Sequence, residues 1–421
     1  MQTTPKSMRI HIGLYGRRNV GKSSVLNAIT RQQVAIVSEV AGTTTDPIEK
    51  PMEILPLGPV LFIDTAGIDD VGKVGTLRVE KTKKMFDRTD LGIIVTEANA
   101  WGEFEENILA EINARKIPAI VILNKIDLLT PDKAIITNLQ QRHIPLIYFS
   151  ALKNEGIEDF RQAILDNAPQ HFFDISVILR DLVLPGEVVI QVMPIDIEAP
   201  KGRLLLPQHQ AVRDALDGDT IDIVIKESQL ENTLACLKQR PKLVVTDSSA
   251  FGLVEKLVPK DIWLTGYSIL FSRLKGDLTS QVINTLAIDE LKPNDKVLIS
   301  EACTHHPIGE DIGRVKIPRW LQKYLGFTLQ IDVVQGHDFP KNLAEYKLVV
   351  NCGACMLNRR EMLNRILFCQ HAGVPITNYG LLIAYTHGIF ARVLEPFPQA
   401  LQAYLSNKAE EAKICHNVKC Y

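Results

Sequence analysis

The chain has 421 residues, 46% hydrophobic and 23% charged. That length predicts two to four domains at ~150 residues each, and the composition excludes a long disordered or collagenous polymer. Its 47 basic and 49 acidic residues leave a net charge of −2, which argues against a global grip on nucleic acid, because such binding neutralises many phosphates. No run reaches the ~18 apolar residues of a membrane helix. Met1–Gly16 lacks an apolar core followed by a small-residue cleavage site, so no membrane association and a cytoplasmic location are expected. The seven cysteines read better as metal ligands or redox groups than as a disulfide framework.

In chain order, strand-like runs at Arg9–Tyr15, Val60–Asp64, Leu91–Thr96, Ala119–Asn124 and Leu146–Phe149 alternate with helical patterns such as Gly21–Arg31 and Glu103–Arg115. This is a βαβ series with a mostly parallel sheet. The pattern breaks at Asp166–Phe173. A small α/β segment follows, with strand-like Gly186–Met193, Thr220–Lys226 and Lys242–Thr246 and helical Gln208–Leu216. A further doubly wound α/β layer begins near Asp261, with strands predicted at Lys296–Ser300, Thr328–Val334, Lys347–Asn351 and Val374–Asn378. The expected organisation is residues 1–168, 172–261 and 262–421.

Gly16–Ser23 fits G-x-x-x-x-G-K-[ST] between a predicted strand and a predicted helix, the context of a P-loop. Gly16 and Gly21 let backbone N–H groups wrap phosphates, and the helix start adds a favourable dipole. Lys22 supplies a point charge, Ser23 a hydroxyl for Mg²⁺, and Ser24 continues the phosphate-binding turn. Asp64-Thr65-Ala66-Gly67 ends a strand, placing Asp64 toward Mg²⁺ and the Gly67 N–H toward a γ-phosphate. Asn124-Lys125-Ile126-Asp127 ends another. The Asp127 carboxylate suits guanine N1–H and N2–H₂, which adenine cannot offer. Lys125 can cover the ring with its stem, and Ser150-Ala151 can close the base pocket. All these sites fall at strand carboxyl ends, where open α/β sheets bind ligands.

These four motifs resemble those of the translation-factor-class GTPases, and Gly42–Asp46 resembles the switch I element of the tRNA-modification and Era-like branch. The resemblance implies that Thr44 reaches Mg²⁺, with Thr43 and Thr45 as one-residue alternatives. Ile68 stands where Ras-like enzymes carry a water-orienting Gln, so another device is needed. Asn19 stands where potassium-activated members hold K⁺. Slow, potassium-stimulated hydrolysis of GTP to GDP and phosphate is the implied activity.

Cys303-Thr304-His305-His306 and Cys352-Gly353-Ala354-Cys355 each follow a predicted strand. Three thiolates can hold three irons of a cubane cluster. A Cys₃His zinc site and a Cys352/Cys355 dithiol are the alternatives. Cys236 and Cys369 are expected to be buried apolar residues, and Cys415, His416 and Cys420 to lie in a tail.

The whole arrangement resembles the [FeFe]-hydrogenase maturation GTPases, the HydF family. The matching residues are Cys303, His305, Cys352 and Cys355, whereas Asn351 replaces the family's histidine before the CxxC. The resemblance implies a [4Fe–4S] cluster on Cys303, Cys352 and Cys355, and a scaffold or carrier that delivers a transient diiron precursor to apo-[FeFe]-hydrogenase. It also implies two radical-SAM maturases as partners and a homodimer formed through the middle segment. Glu310, Asp311, His305 and His306 are candidates for the fourth cluster ligand. The alternative is an RNA-associated GTPase with a structural zinc site, but the ending Lys419-Cys420-Tyr421 does not match the Cys-x-Gly-Lys terminus of the tRNA-modifying relatives.

Overall fold

The computed structural model describes residues 4–30, 48–55, 57–64, 84–169, 177–194, 204–302, 311–340 and 342–418. The chain divides into two compact units, Met1–Ser176 and Val177–Tyr421.

In the first unit, six strands form one sheet in the order β2-β3-β1-β4-β5-β6, with β1 Ile10–Tyr15, β2 Ile48–Ile54, β3 Gly58–Asp64, β4 Leu91–Glu97, β5 Ala119–Asn124 and β6 Leu146–Tyr148. All neighbours are parallel except β2 and β3. The sequence-based strands recur within two residues of their bounds, but β2 was not foreseen. Only its last residue is buried, and Pro51 interrupts it; an edge strand tolerates a proline because one side has no ladder to donate to. Strand β1 is buried at every residue and β4 at all but its last, as a sheet covered on both faces requires. Apolar clusters lie on the two faces, one around Val25, Phe62 and Phe160 and the other around Tyr15, Phe86 and Ile112. Strand β1 lies between β3 and β4, so the direction of winding changes beside it. The register pairs Leu14 with Asp64 and with Ile93, and Glu97 with Asn124. The carboxyl ends of β1, β3, β4 and β5 therefore share one edge.

The second unit contains two four-stranded parallel sheets. One runs β10-β9-β7-β8, from β7 Val188–Val192, β8 Ile221–Ile225, β9 Leu243–Thr246 and β10 Trp263–Gly266. The other runs β12-β11-β13-β14, from β11 Lys296–Glu301, β12 Gln330–Gln335, β13 Leu348–Asn351 and β14 Ile376–Asn378. Strand β10 differs from the sequence reading, which assigned residues from 262 onward to the last segment. It pairs with β9, Trp263 opposite Leu243. Four residues carry no cue to their pairing partner. One continuous core, including Val189, Phe251, Ile269, Val297, Val350 and Ile383, serves both sheets. Two further expectations change. Cys236 is exposed, because it ends a seven-residue helix in which only Leu230 is buried. Cys415 and His416 lie within the helix Pro398–Val418 rather than in a tail. Among the described residues no helix is long and apolar enough to cross a membrane.

Candidate functional site

At the end of β1 the chain turns through Gly16 into the helix Lys22–Thr30. Gly16 has φ 152°, and a Cβ there would stand 2.2 Å from the Val95 carbonyl oxygen. Only glycine fits this approach of loop to sheet. Asn19 and Gly21 also take positive φ, 66° and 94°. The Lys22 ammonium is buried and donates to the carbonyls of Gly16 and Arg17, both at 2.8 Å, which holds the loop around it.

Ser23 Oγ donates to Asp64 Oδ2 at 2.6 Å. Burial raises the Asp64 carboxyl above its ordinary value, against the Ser23 hydrogen bond and the Lys22 charge. Among the described residues Asp64 Oδ1 is buried without a hydrogen-bond partner. A hydroxyl and an unsatisfied carboxylate oxygen side by side suit a hydrated Mg²⁺, a hard cation with oxygen ligands. The site residues therefore fit that ion.

Asn124, at the end of β5, ties the site together. Its Nδ2 donates to the Val20 carbonyl at 2.8 Å, and its Oδ1 accepts from the Ala151 amide at 3.4 Å. The half-buried Asp127 carboxylate accepts from Ser150 Oγ at 2.6 Å, and Ser150 Oγ in turn accepts from the Lys153 amide. A cleft of about 370 Å³ is lined by Asn19, Gly21, Ser24, Asn124, Lys125, Asp127 and Ala151 among others, a volume within the usual range for small-molecule sites. The structure thus brings Asn19, Gly21, Asn124, Lys125, Asp127 and Ala151 around one cleft, and places Asp64 beside Ser23. Thr44 and Gly67, with Thr43, Thr45 and Ile68, lie outside the described residues.

Two ion pairs here have no sequence signature. Arg17 forks onto the fully buried Glu105, at 2.8 and 2.9 Å, and stacks over Phe104. Lys125 pairs with Glu97 at 2.5 Å. Glu105 also accepts from the Gly102 amide at 3.0 Å, starting the helix Glu103–Ala114. The signal, visible only in retrospect, is an acidic residue on the apolar face of that helix.

In the second unit, Ser300 of β11 and Asn351 of β13 are register partners at the strand ends. The next residues therefore meet. The Cys352 amide donates to the Ser300 carbonyl at 3.0 Å, while Cys352 Sγ accepts from the amides of Ala302 at 3.0 Å and Ala354 at 3.4 Å. Ala354 takes φ 51°, a left-handed turn that brings the CxxC loop back on itself. Burial pushes the Cys352 thiol up and Cys355 to about 11. Amides aimed at a sulfur suit a thiolate bound to a soft metal centre, since hydrogen bonds to sulfur are part of how such sites are tuned. Cys352 and Cys355 thus fit an iron–sulfur cluster.

Asn351 is buried and engaged. Its Nδ2 donates to the Cys352 carbonyl at 2.9 Å and lies 3.3 Å from Met362 Sδ. Asp311 is buried and caps the helical turn Ile312–Lys316 by accepting from the Arg314 amide at 2.6 Å. Cys303, His305, His306 and Glu310 lie outside the described residues, as does Cys420. Among the described residues no three His, Cys, Asp or Glu side chains converge as a metal-holding set. Cys369 is buried, as its apolar surroundings led us to expect.

Below the CxxC loop lies Lys275, which sequence reasoning did not single out. Its ammonium is buried and donates to the carbonyls of Ala354, Leu357 and Cys355. Burial lowers it to about 8, against the pull of Cys355, Cys352 and Glu361.

Residues 178–276 match the hydrogen maturase F dimerization domain, and residues 279–396 match the hydrogen maturase F tetramerization domain, together more than half of the chain. The chain belongs to the hydrogenase maturase HydF family. Residues 11–125 match the 50S ribosome-binding GTPase model, so this family member carries a P-loop GTPase domain, with GTP, GDP and Mg²⁺ as its ligand class. Curated relatives include the tRNA modification GTPase MnmE of Desulfotalea psychrophila, 36% identical over 37% of this chain and 34% of that one. Another is the GTPase Der of Wolinella succinogenes, 34% identical over 37% and 35%. The chain spans about a third of the length of these relatives.

Proposed function

We propose that this HydF-family chain is a GTP-hydrolysing scaffold that holds a [4Fe–4S] cluster on Cys303, Cys352 and Cys355. It carries the diiron precursor, its cargo, to apo-[FeFe]-hydrogenase, after two radical-SAM maturases have supplied it. The observation that carries the reading is the Ala302 amide aimed at Cys352 Sγ, 3.0 Å away, at the meeting of two strand ends. When bound, a cluster with three thiolate ligands offers one iron whose remaining position can exchange. Asn351 does not compete for that position, because its amide is spent on the fold. Asp311 is partly spent on its turn, which leaves Glu310, His305 and His306 as the preferred candidates.

At the nucleotide end, Ser23 and Asp64 hold Mg²⁺, Lys22 faces the β/γ-phosphates, and Asp127 reads guanine. Thr44 joins Ser23 and Asp64 on Mg²⁺, the Gly67 amide meets the γ-phosphate, and Asn19 shares K⁺ with the phosphates. Bound Mg²⁺ and K⁺ supply positive charge where the transferring phosphoryl group concentrates negative charge. The switch segments ordered by the γ-phosphate give the carrier two states for its partners. A homodimer through the middle segment is supported by edge strand β8, whose Ile221 and Val224 are about half exposed.

The test is a transfer assay. Anaerobically reconstituted protein is incubated with the two maturases, re-isolated and added to apo-hydrogenase. The reading predicts hydrogen evolution that Cys352→Ala abolishes, and GTP hydrolysis faster in potassium than in sodium. Full transfer by the Cys352→Ala protein would overturn the carrier role, and equal rates in the two salts would remove K⁺.

A further inference from the structure

Lysine is almost never fully buried unless its charge is paired. Lys275 is 4% exposed, yet among the described residues it forms no ion pair. Its partners are three backbone carbonyls of the cysteine loop, Ala354 at 2.8 Å, Leu357 at 2.8 Å and Cys355 at 3.2 Å. An ammonium has three donors, and all three are used on one turn of chain. The Phe271 ring centroid lies 5.6 Å from the nitrogen. Lys275 ends the helix Tyr267–Lys275, where the helix dipole favours a cation. These contacts converge three carbonyl oxygens that would otherwise repel one another beneath the Cys352–Cys355 turn.

The geometry points to Lys275 as a positioning residue for the metal group: it fixes the CxxC loop from below and sets a positive charge beneath the cysteine ligands. This inference rests on the cluster reading above. A [4Fe–4S]²⁺ core held by three thiolates carries a net charge of −1, and one more negative charge on reduction. A buried cation close by compensates that charge and favours the reduced form, because the interior screens it weakly. The desolvation of Lys275 is thus balanced by loop and cluster together rather than by a direct ion pair with a carboxylate. The residue also joins two segments of the second unit. Lys275 falls within the part that matches the dimerization model, whereas the carbonyls it holds fall within the part that matches the tetramerization model.

The experiment uses full-length wild type, Lys275→Met and Lys275→Arg. On the metal-free proteins, kept reduced, the alkylation rates of Cys352 and Cys355 are followed by mass spectrometry. On reconstituted proteins the midpoint potential of the cluster is read by redox titration. Lys275→Met is expected to speed alkylation several-fold and move the potential to more negative values. Lys275→Arg is expected to restore the potential while leaving alkylation fast, because the bulkier guanidinium does not fit the point where the buried ammonium meets three carbonyls. If Lys275→Met does not fold, the arginine variant decides alone: a wild-type alkylation rate overturns the loop role, and a shifted potential overturns the charge role. Wild-type rates and potential in Lys275→Met overturn both. If the wild type binds no cluster, the cluster reading fails and the charge role with it, while the alkylation arm still decides what Lys275 does to the loop.

Discussion

The Asn124 side chain lies against Gly21 so closely that a Cβ on Gly21 would stand 2.4 Å from Asn124 Nδ2. The same amide bridges the Val20 carbonyl of the phosphate loop to the Ala151 amide of the base pocket. The phosphate loop and the Ser150–Ala151 turn are therefore coupled through one side chain. Gly21→Ala meets both this contact and a φ of 94°, and should cost about 1–3 kcal/mol. Thermal unfolding and nucleotide titration check it: the variant should melt lower and bind GTP and GDP more weakly. Unchanged affinity would mean that the bridge is not needed for binding.

Guanine selectivity is assigned to Asp127, whose carboxylate can accept from two ring donors. Asp127→Asn replaces one acceptor by a donor. GTP should lose about 100-fold or more in affinity, since the site's hydrogen-bonding groups are left mismatched. Xanthosine triphosphate, which carries a carbonyl where guanine has its amino group, should gain. Competition binding reads both, and an unaltered preference for guanine would place recognition elsewhere.

Arg17 and Glu105 form a forked pair in which the carboxylate is fully buried and the guanidinium is 44% exposed. Removing only the cation strands a buried negative charge, at a cost of about 3 kcal/mol. Arg17→Ala should therefore destabilise the first unit more than the double variant Arg17→Ala/Glu105→Gln does. A double-mutant cycle measured by urea unfolding tests this, and additive losses would show that the pair is not coupled.

Asp222 is raised to about 6 by burial, against the hydrogen bonds it accepts from Gln191 Nε2 at 2.9 and 3.1 Å. Gln191 is itself held by the Tyr267 hydroxyl. A carboxyl raised on folding binds its proton more tightly in the native state. Its contribution favours the fold below about pH 4 and is lost as pH rises through about 6. After allowance for partial solvent screening the span is on the order of 1 kcal/mol. Asp222→Asn should flatten that decline and melt higher than wild type at neutral pH. Parallel stability–pH curves for the two proteins would contradict the assignment.

Much of this was legible in the sequence, for identifiable reasons. The P-loop and the Asn124–Asp127 motif stand next to strongly apolar strands, so motif and periodicity support one another: Asp64 and Asn124 end strands, Ser23 opens the helix after β1, and Asp127 follows β5. Cys352 was legible in the same way, through the apolar run before it. What escaped depended on partners distant in sequence. Strand β2 escaped because Pro51 interrupts it and only its last residue is buried, and β10 because a four-residue strand does not reveal its neighbour. Glu105 and Lys275 escaped because a charged residue in a helical pattern reads as solvated, and only the fold shows what it meets. Cys236 was misread for the converse reason: an apolar pattern does not bury a residue when its helix ends there.

The cluster proposed at the paired strand ends of the second unit is an iron–sulfur group bound by thiolates. Its most direct test is iron and acid-labile sulfide analysis, with an absorption spectrum, on wild-type and Cys352→Ala proteins reconstituted without oxygen. The account predicts about four irons and four sulfides per wild-type chain, as a cubane requires, with a broad visible band that the variant loses. Stoichiometric zinc without iron, or an undiminished cluster in Cys352→Ala, would contradict it.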